Sequence, residues 1–258
     1  MNQPYVTLNI ENEVAYVEFF HPKQNSLPSS LLLDLKNIIM SISDNSDVKV
    51  VVLKSAGDRA FCAGASFDEM MTIDDENKGY AFFSGFADVI NAIRSCPKLF
   101  IGRIQGKAVG GGVGLIASTD YCLASKHAEI KLSELNIGIG PYVIGPAVER
   151  KIGMSAMSQL AIKSDTFFSA KWSKQKGLFA EIYENHQELD FAVKKMTDLI
   201  STYNPDAVIE MKKLFWKGTE DWNTLLKERA LITGRLVLSS FTKNRLEYFK
   251  RNKNLPKN

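Results

Sequence analysis

The run Val48–Leu53 is apolar apart from Lys49 and has no polar face, which is the pattern of a β-strand covered on both sides. A sheet buried on both faces needs helices above and below it, and the chain supplies strands and helices in alternation. Tyr5–Asn9 and Val14–Phe20 alternate polar with β-branched or aromatic residues around Glu11-Asn12-Glu13 and predict a β-hairpin. Ser29 or Ser30 is placed to cap a helix in which Leu31, Leu35, Ile38, Ile39 and Ile42 recur at helical spacing. Glu76–Ser95 reads as a helix halted by Pro97, Leu99–Ile104 as a strand, Gly112–Ser118 as a short helix and Tyr121–Ala124 as a further strand. From about Gln187 the texture changes: Gln187–Ser201, Pro205–Trp216 and Asp221–Ser239 all carry helical periodicity, with Asn204 as a cap before a first-turn Pro205. The expectation is an α/β core followed by a helical segment that covers the core or supplies a subunit interface.

A chain of 258 residues is long enough for one large domain with its own core, or one domain with a helical appendage. Its net charge of +3 is spread along the sequence, with a modest basic excess near the end in Lys243, Arg245, Lys250, Arg251, Lys253 and Lys257. Such a balance does not call for nucleic acid, although a basic end can meet a phosphorylated cofactor. Cys62, Cys96 and Cys122 are odd in number and fit neither a disulfide framework nor paired metal spacing, so reduced, buried thiols are expected. Met1-Asn2-Gln3-Pro4-Tyr5 lacks a basic stretch leading into an apolar core, and no apolar run approaches the ~18 residues of a membrane span. A cytoplasmic chain without a membrane partner is the expectation.

Chemistry is suggested by two loops. Ala60-Phe61-Cys62-Ala63-Gly64-Ala65 follows the strand at Val48–Leu53, and Gly106–Gly114, containing Gly110-Gly111-Gly112, follows another strand and opens a short apolar helix. Glycine lets backbone approach a ligand closely, and N–H groups at the start of a helix favour an anion. Either loop alone reads as a tight turn rather than a site; two of them at neighbouring strand ends can aim one N–H each at a single oxygen and stabilise an oxyanion. Competing glycine motifs fit poorly. Gly112-Val113-Gly114-Leu115-Ile116-Ala117 matches a dinucleotide fingerprint with Glu134 as its ribose carboxylate, but the helix it opens is too short. Gly102 to Lys107 is one residue too short for a phosphate-binding loop, and Ala108 replaces the hydroxyl. His21, His127 and His186 have no ligand spacing, and no metal is indicated.

Taken in order, Pro22-Lys23-Gln24-Asn25-Ser26-Leu27, Arg59–Ala65, Gly106–Gly114 with Asp120 after it, and Leu132-Ser133-Glu134-Leu135-Asn136-Ile137-Gly138 resemble the crotonase superfamily, the enoyl-CoA hydratase/isomerase family, over essentially the whole chain. Phe168-Ser169-Ala170 and Gly177-Leu178-Phe179 resemble the family's next helix and its exit. The resemblance implies an α/β fold, a spiral of ββα repeats over residues 1–195 that holds the coenzyme A thioester site. Residues 196–258 would then be a helical C-terminal segment for oligomerisation and active-site cover. It implies an acyl-CoA thioester as substrate, no cofactor beyond the coenzyme A of that substrate, and a homotrimer or dimer of trimers. It places the oxyanion donors at the N–H groups of Ala65 and Gly111, adenine and pantetheine contacts near Gln24, Ser26 and Ala63, and an aromatic near the adenine at Phe241.

One departure bears on the reaction. Hydratases of this family use two glutamates, and here the first position is Gly114 while the second is Glu134. Water addition divides its labour between two carboxylates, whereas moving a double bond needs a proton lifted from one carbon and returned to another, which one carboxylate can do. Glu134 alone therefore suits isomerisation, or a hydration in which one carboxylate holds the water and recycles the proton. Asp68, Glu69 and Tyr142 are candidate substitutes, with Asp120 read as structural and Tyr142 equally as packing. Ile139-Gly140-Pro141-Tyr142 departs from the family's usual turn and suggests an unusual acyl pocket. Expected activities are thus enoyl-CoA hydratase or Δ3,Δ2-enoyl-CoA isomerase, with a branched methylglutaconyl-type thioester as one substrate by analogy. The rival readings are an acyl-CoA-binding protein that has lost activity and a nucleotide-dependent oxidoreductase.

Overall fold

Strands β1 (Tyr5–Glu11) and β2 (Val14–Phe20) form the expected hairpin, turning at Asn12 and Glu13, whose φ values of 50° and 65° make a two-residue turn matched to strand twist. The computed structural model describes residues 3–252; Met1 and Asn2 of the N-terminal reading and Lys253 and Lys257 of the basic end lie outside them. Helix α1 (Ser29–Ser43) leads to β3 (Val50–Ser55), β4 (Ala60–Cys62), α2 (Phe67–Met71) and α3 (Glu76–Ser95). Next come β5 (Leu99–Ile104), β6 (Lys107–Val109), α4 (Gly111–Ser118), β7 (Tyr121–Ser125), β8 (Ile130–Lys131), a 3-10 turn at Glu134–Ile137 and α5 (Gly145–Ile162). The chain finishes with α6 (Ala170–Gln175), β9 (Glu181–Tyr183), α7 (His186–Ser201), α8 (Pro205–Phe215), α9 (Trp222–Val237) and α10 (Ser240–Asn252).

Three successive units repeat one pattern. In β3–β4, β5–β6 and β7–β8 the first strand joins a six-stranded sheet of order β1-β2-β3-β5-β7-β9 and the second joins a three-stranded sheet of order β4-β6-β8. The strand-to-strand pairings after the hairpin, among the described residues, are parallel, and helices return the chain from one unit to the next. The pattern is the spiral of ββα units expected.

Alternation along β3 explains its apolar run. Val51 and Leu53 point into the main core with α1 and α3, while Val50 and Val52 point into a second core with Leu189, Val193 and Ile200 of α7. The observed strand is shifted two residues from Val48–Leu53, because pairing with Glu18 and Phe19 carries it through Lys54 and Ser55. The serine cap expected for α1 is not formed: Pro28 is the N-cap residue and makes no side-chain bond. Instead the Glu69 carboxylate accepts from the Ser29 N–H at 2.8 Å and from the Ser29 hydroxyl, a cap supplied across space by α2. Asn204 caps α8 ahead of Pro205 as predicted, its side chain accepting from the Asp206 N–H at 2.9 Å.

C-terminal helix α9 packs along α3, where Gly79 and Gly234 let the two backbones meet: a side-chain carbon at Gly79 would lie 2.8 Å from the Gly234 Cα. No helix among the described residues is long and apolar enough to cross a membrane. Cys62, Cys96 and Cys122 are free and buried, as expected.

Asp120 is a structural residue. It accepts from the Phe100 N–H at 2.8 Å, the Trp216 indole at 2.9 Å and the Lys212 ammonium at 2.6 Å, tying α8 to the sheet through an ion pair with side chains only 3% and 4% exposed. Breaking such a pair strands a buried charge. Asp120→Ala is expected to cost about 3–5 kcal/mol in urea unfolding, the range for an orphaned buried ion; a loss under 1 kcal/mol would show the pair to be incidental.

Candidate active site

Because β4 and β6 pair in parallel, the loops that follow them leave the small sheet side by side. Gly64 has φ of 85°, and a side chain there would stand 2.6 Å from the Val109 carbonyl oxygen and 3.4 Å from the Gly111 nitrogen. Leu27 fixes the direction of the first loop. Its N–H donates to the Gly64 carbonyl at 2.8 Å and its carbonyl accepts from the Ser66 N–H at 3.0 Å. Those bonds use the groups on either side of Ala65, so the N–H of Ala65 itself faces away from Leu27. In the second loop the Val113 and Gly114 N–H groups both turn back to the Gly110 carbonyl, at 2.8 and 3.2 Å. Gly111 is the first residue of α4, where N–H groups have no acceptor within the helix and sit at the positive end of its dipole.

Ala63, Ala65 and Gly111 border one cavity of about 190 Å³. Met70 of α2, Phe83 and Phe86 of α3, and Ile139, Val143 and Ile144 beyond the 3-10 turn make most of its wall apolar. Tyr142 and Thr233, the latter from α9, also line it. A larger hollow of about 540 Å³ lies against α7, but its charges are already matched, Lys54 with Glu18 at 2.9 Å and Arg103 with Asp190 at 2.5 Å. It is a surface groove between paired ions.

Glu134 begins the 3-10 turn and reaches the same cavity. A side chain at Gly110, which has φ of 53°, would come within 2.8 Å of the Glu134 Oε1, so glycine is required for the carboxylate to sit there. The Gly110 N–H donates to the Lys131 carbonyl at 2.8 Å, which locks the loop beside the strand that delivers Glu134. Although the residue as a whole is partly accessible, its Oε2 is buried and without a hydrogen-bond partner. Burial raises the carboxyl to about 7, with only a partial offset from the backbone N–H groups of Glu134 and Ser133. Cys62, behind the first loop, accepts from the Gly64 N–H at 3.3 Å, and its thiol is pushed up to about 12 by burial, which makes it packing rather than a nucleophile.

The other sequence-derived candidates lie apart from this cavity. Gln24 has φ of 56° and its carbonyl accepts from the Ala63 N–H at 3.0 Å, and the residue borders a small separate hollow with His21 and Arg59. The Ser26 hydroxyl is 3.1 Å from the His21 Nδ1. Phe241, on α10, lies with its ring against Gly138 at the end of the 3-10 turn. Asp68 pairs with Lys23 and Glu69 caps α1, so neither carboxylate is among the cavity-lining residues. Space beside Gly114 is filled: a side chain there would meet the Ile144 Cγ2 at 2.4 Å. The apolar wall from α3 and Thr233 from α9 were not singled out in the sequence, since helical periodicity marks a buried face without saying what it faces.

Glu134 connects pH to stability. Its carboxyl ionises near 4.5 when free and near 7 in the fold, so the folded state holds the extra proton and stability falls as pH rises through that window. Glu134→Gln is expected to become progressively more stable than the native chain between those values, by up to about 3 kcal/mol at the plateau from ~1.4 kcal/mol per pKa unit. Chemical denaturation of both chains across pH checks this, and a pH-independent difference would contradict the burial of an unpaired carboxylate.

The family profile described as enoyl-CoA hydratase/isomerase matches residues 9–245. Human mitochondrial methylglutaconyl-CoA hydratase is 31% identical over 190 residues, 73% of this chain and 56% of that protein, so the chain spans little more than half of that relative's length. Arabidopsis thaliana peroxisomal Delta(3,5)-Delta(2,4)-dienoyl-CoA isomerase is 25% identical over 82% of this chain and 80% of its own. The crystal structure of enoyl-CoA hydratase from Bacillus halodurans superposes with a TM-score of 0.87 at 23% identity, covering 95% of this chain and 99% of that one. The architecture is therefore the crotonase fold.

Proposed function

This chain belongs to the enoyl-CoA hydratase/isomerase family, and from that premise we propose that it moves a proton beside the carbonyl of an unsaturated acyl-CoA thioester. The thioester oxygen binds between the N–H groups of Ala65 and Gly111, which stabilise the enolate formed when the neighbouring carbon loses its proton. Glu134 takes that proton and returns it to the carbon two positions along, shifting the double bond. The observation that carries the reading is Glu134 itself: the one carboxylate among the described residues lining the cavity, with a buried, unpaired oxygen. A base raised to about 7 is near the ideal for transferring protons in both directions at neutral pH.

The geometry favours isomerisation over hydration because Ile144 fills the space beside Gly114, where a second carboxylate would have to stand. Hydration with Glu134 as the sole carboxylate is the second reading, favoured by the name of the human relative. Coenzyme A contacts at Gln24, Ser26, Ala63 and Phe241 belong to the proposal, as does a trimer or dimer of trimers without further cofactor. A cytoplasmic setting belongs to the proposal, and three free, buried thiols suit a reducing compartment. Thr233 supports a covering role for the C-terminal helices, since α9 brings it to the cavity wall.

Incubation with 2-enoyl and 3-enoyl thioesters separates the readings. New conjugated-thioester absorbance at unchanged mass from a 3-enoyl substrate is expected; a gain of one water from a 2-enoyl substrate would select hydration. Glu134→Gln should lower turnover by ~10²–10⁴-fold, the usual share of a general acid–base group. In the native enzyme kcat/KM should fall as pH drops below about 7, because the base must be ionised before it accepts the first proton. Turnover untouched by Glu134→Gln would remove the residue from the mechanism.

A further inference from the structure

The cavity that takes the acyl group is lined by one carboxyl side chain, that of Glu134, and by no cationic one. Of the twenty described residues lining it, none is Lys, Arg or His. Four cations on neighbouring elements are turned to other tasks. The Lys107 and Lys131 ammoniums lie 4.5 and 4.4 Å from the centre of the Phe167 ring, and Lys107 also pairs with Glu129 at 2.8 Å. Arg245 of α10 approaches the 3-10 turn but donates to the Asn136 carbonyl at 3.0 Å and to its side-chain oxygen at 2.9 Å. Lys23, beside α2, is held by Asp68. An acyl group ending in a carboxylate would therefore enter an apolar chamber with no counter-charge, in the company of Glu134. Desolvating an unpaired carboxylate next to a second acid is costly on both counts.

We propose that this site selects thioesters whose acyl group is uncharged and excludes those bearing a second carboxylate, so that its substrate class differs from the dicarboxylic thioester named in its human relative. The inference rests on the acyl-CoA reading above. Support comes from the carboxyl of Glu134, which is shifted upward by burial with no cation among the causes. A buried cation placed to receive a substrate carboxylate would have pulled it the other way.

Binding tests the charge rule independently of turnover. Calorimetric titration of the native protein with butanoyl-CoA and with glutaryl-CoA, which differs by a terminal carboxylate, should show the charged thioester binding at least about 100-fold more weakly, as expected for a carboxylate desolvated without a counter-charge. Among 3-enoyl thioesters, kcat/KM should favour methyl-ended over carboxylate-ended chains by a similar factor. Ile137→Lys, at a partly exposed lining position, should narrow both gaps while leaving the melting temperature within a few degrees. Equal or tighter binding of glutaryl-CoA would overturn the inference. Discrimination in binding with no turnover of any enoyl thioester would leave the charge rule standing and overturn the proposed activity.

Discussion

At residue 64 a side chain would sit 2.6 Å from the Val109 carbonyl oxygen, and the site depends on that close approach of two backbone segments. It is possible because parallel pairing of β4, β6 and β8 lays three successive loops at one end of a small sheet. The first loop is steered by Leu27, the second by the start of α4, and the third brings Glu134 against Gly110. Three units that repeat one ββα pattern thus contribute one component each. Strand pairing sets their spacing more rigidly than loops of this length could by themselves.

Energetically the arrangement is unfavourable for the fold and favourable for chemistry. A carboxylate in an apolar chamber without a cation loses solvation and gains little, so its proton is held more tightly. That same loss places its ionisation where proton transfer is reversible at neutral pH. Stability is recovered away from the chamber, in a core that coats both faces of the large sheet and in the Asp120–Lys212–Trp216 cluster that anchors α8. The two regions solve the problem of a buried acid in opposite ways: Asp120 is given three donors, and the Glu134 Oε2 is given none.

Legibility followed the physics of each element. The hairpin, β5, β7, α3 and the helices from α7 to α9 were readable because their periodicity is local and long enough to be distinctive. Strands β4, β6 and β8 span three, three and two residues and were not, since so short a stretch becomes a strand only when its partner is beside it. Helix α5 was also missed: it carries a weakly amphipathic face and is broken at Gly153, where φ is 74°. The serine cap on α1 failed for a related reason, because the acceptor that binds Ser29 comes from Glu69, forty residues away in sequence.

Residue chemistry settled by itself which groups were available: glycine loops able to present N–H groups to an anion, acids at Glu134, Asp68 and Glu69, and a glycine at 114. Those are properties of side-chain type and order along the chain, and folding does not alter them. Only the tertiary structure decided what the groups do together. It closed the space beside Gly114 with Ile144, drew Phe83, Phe86 and Thr233 from distant helices into one apolar wall, and directed Lys107, Lys131 and Arg245 elsewhere. Charge balance and dielectric in a cavity depend on every neighbour in three dimensions, and most neighbours of Glu134 are remote from it in the chain.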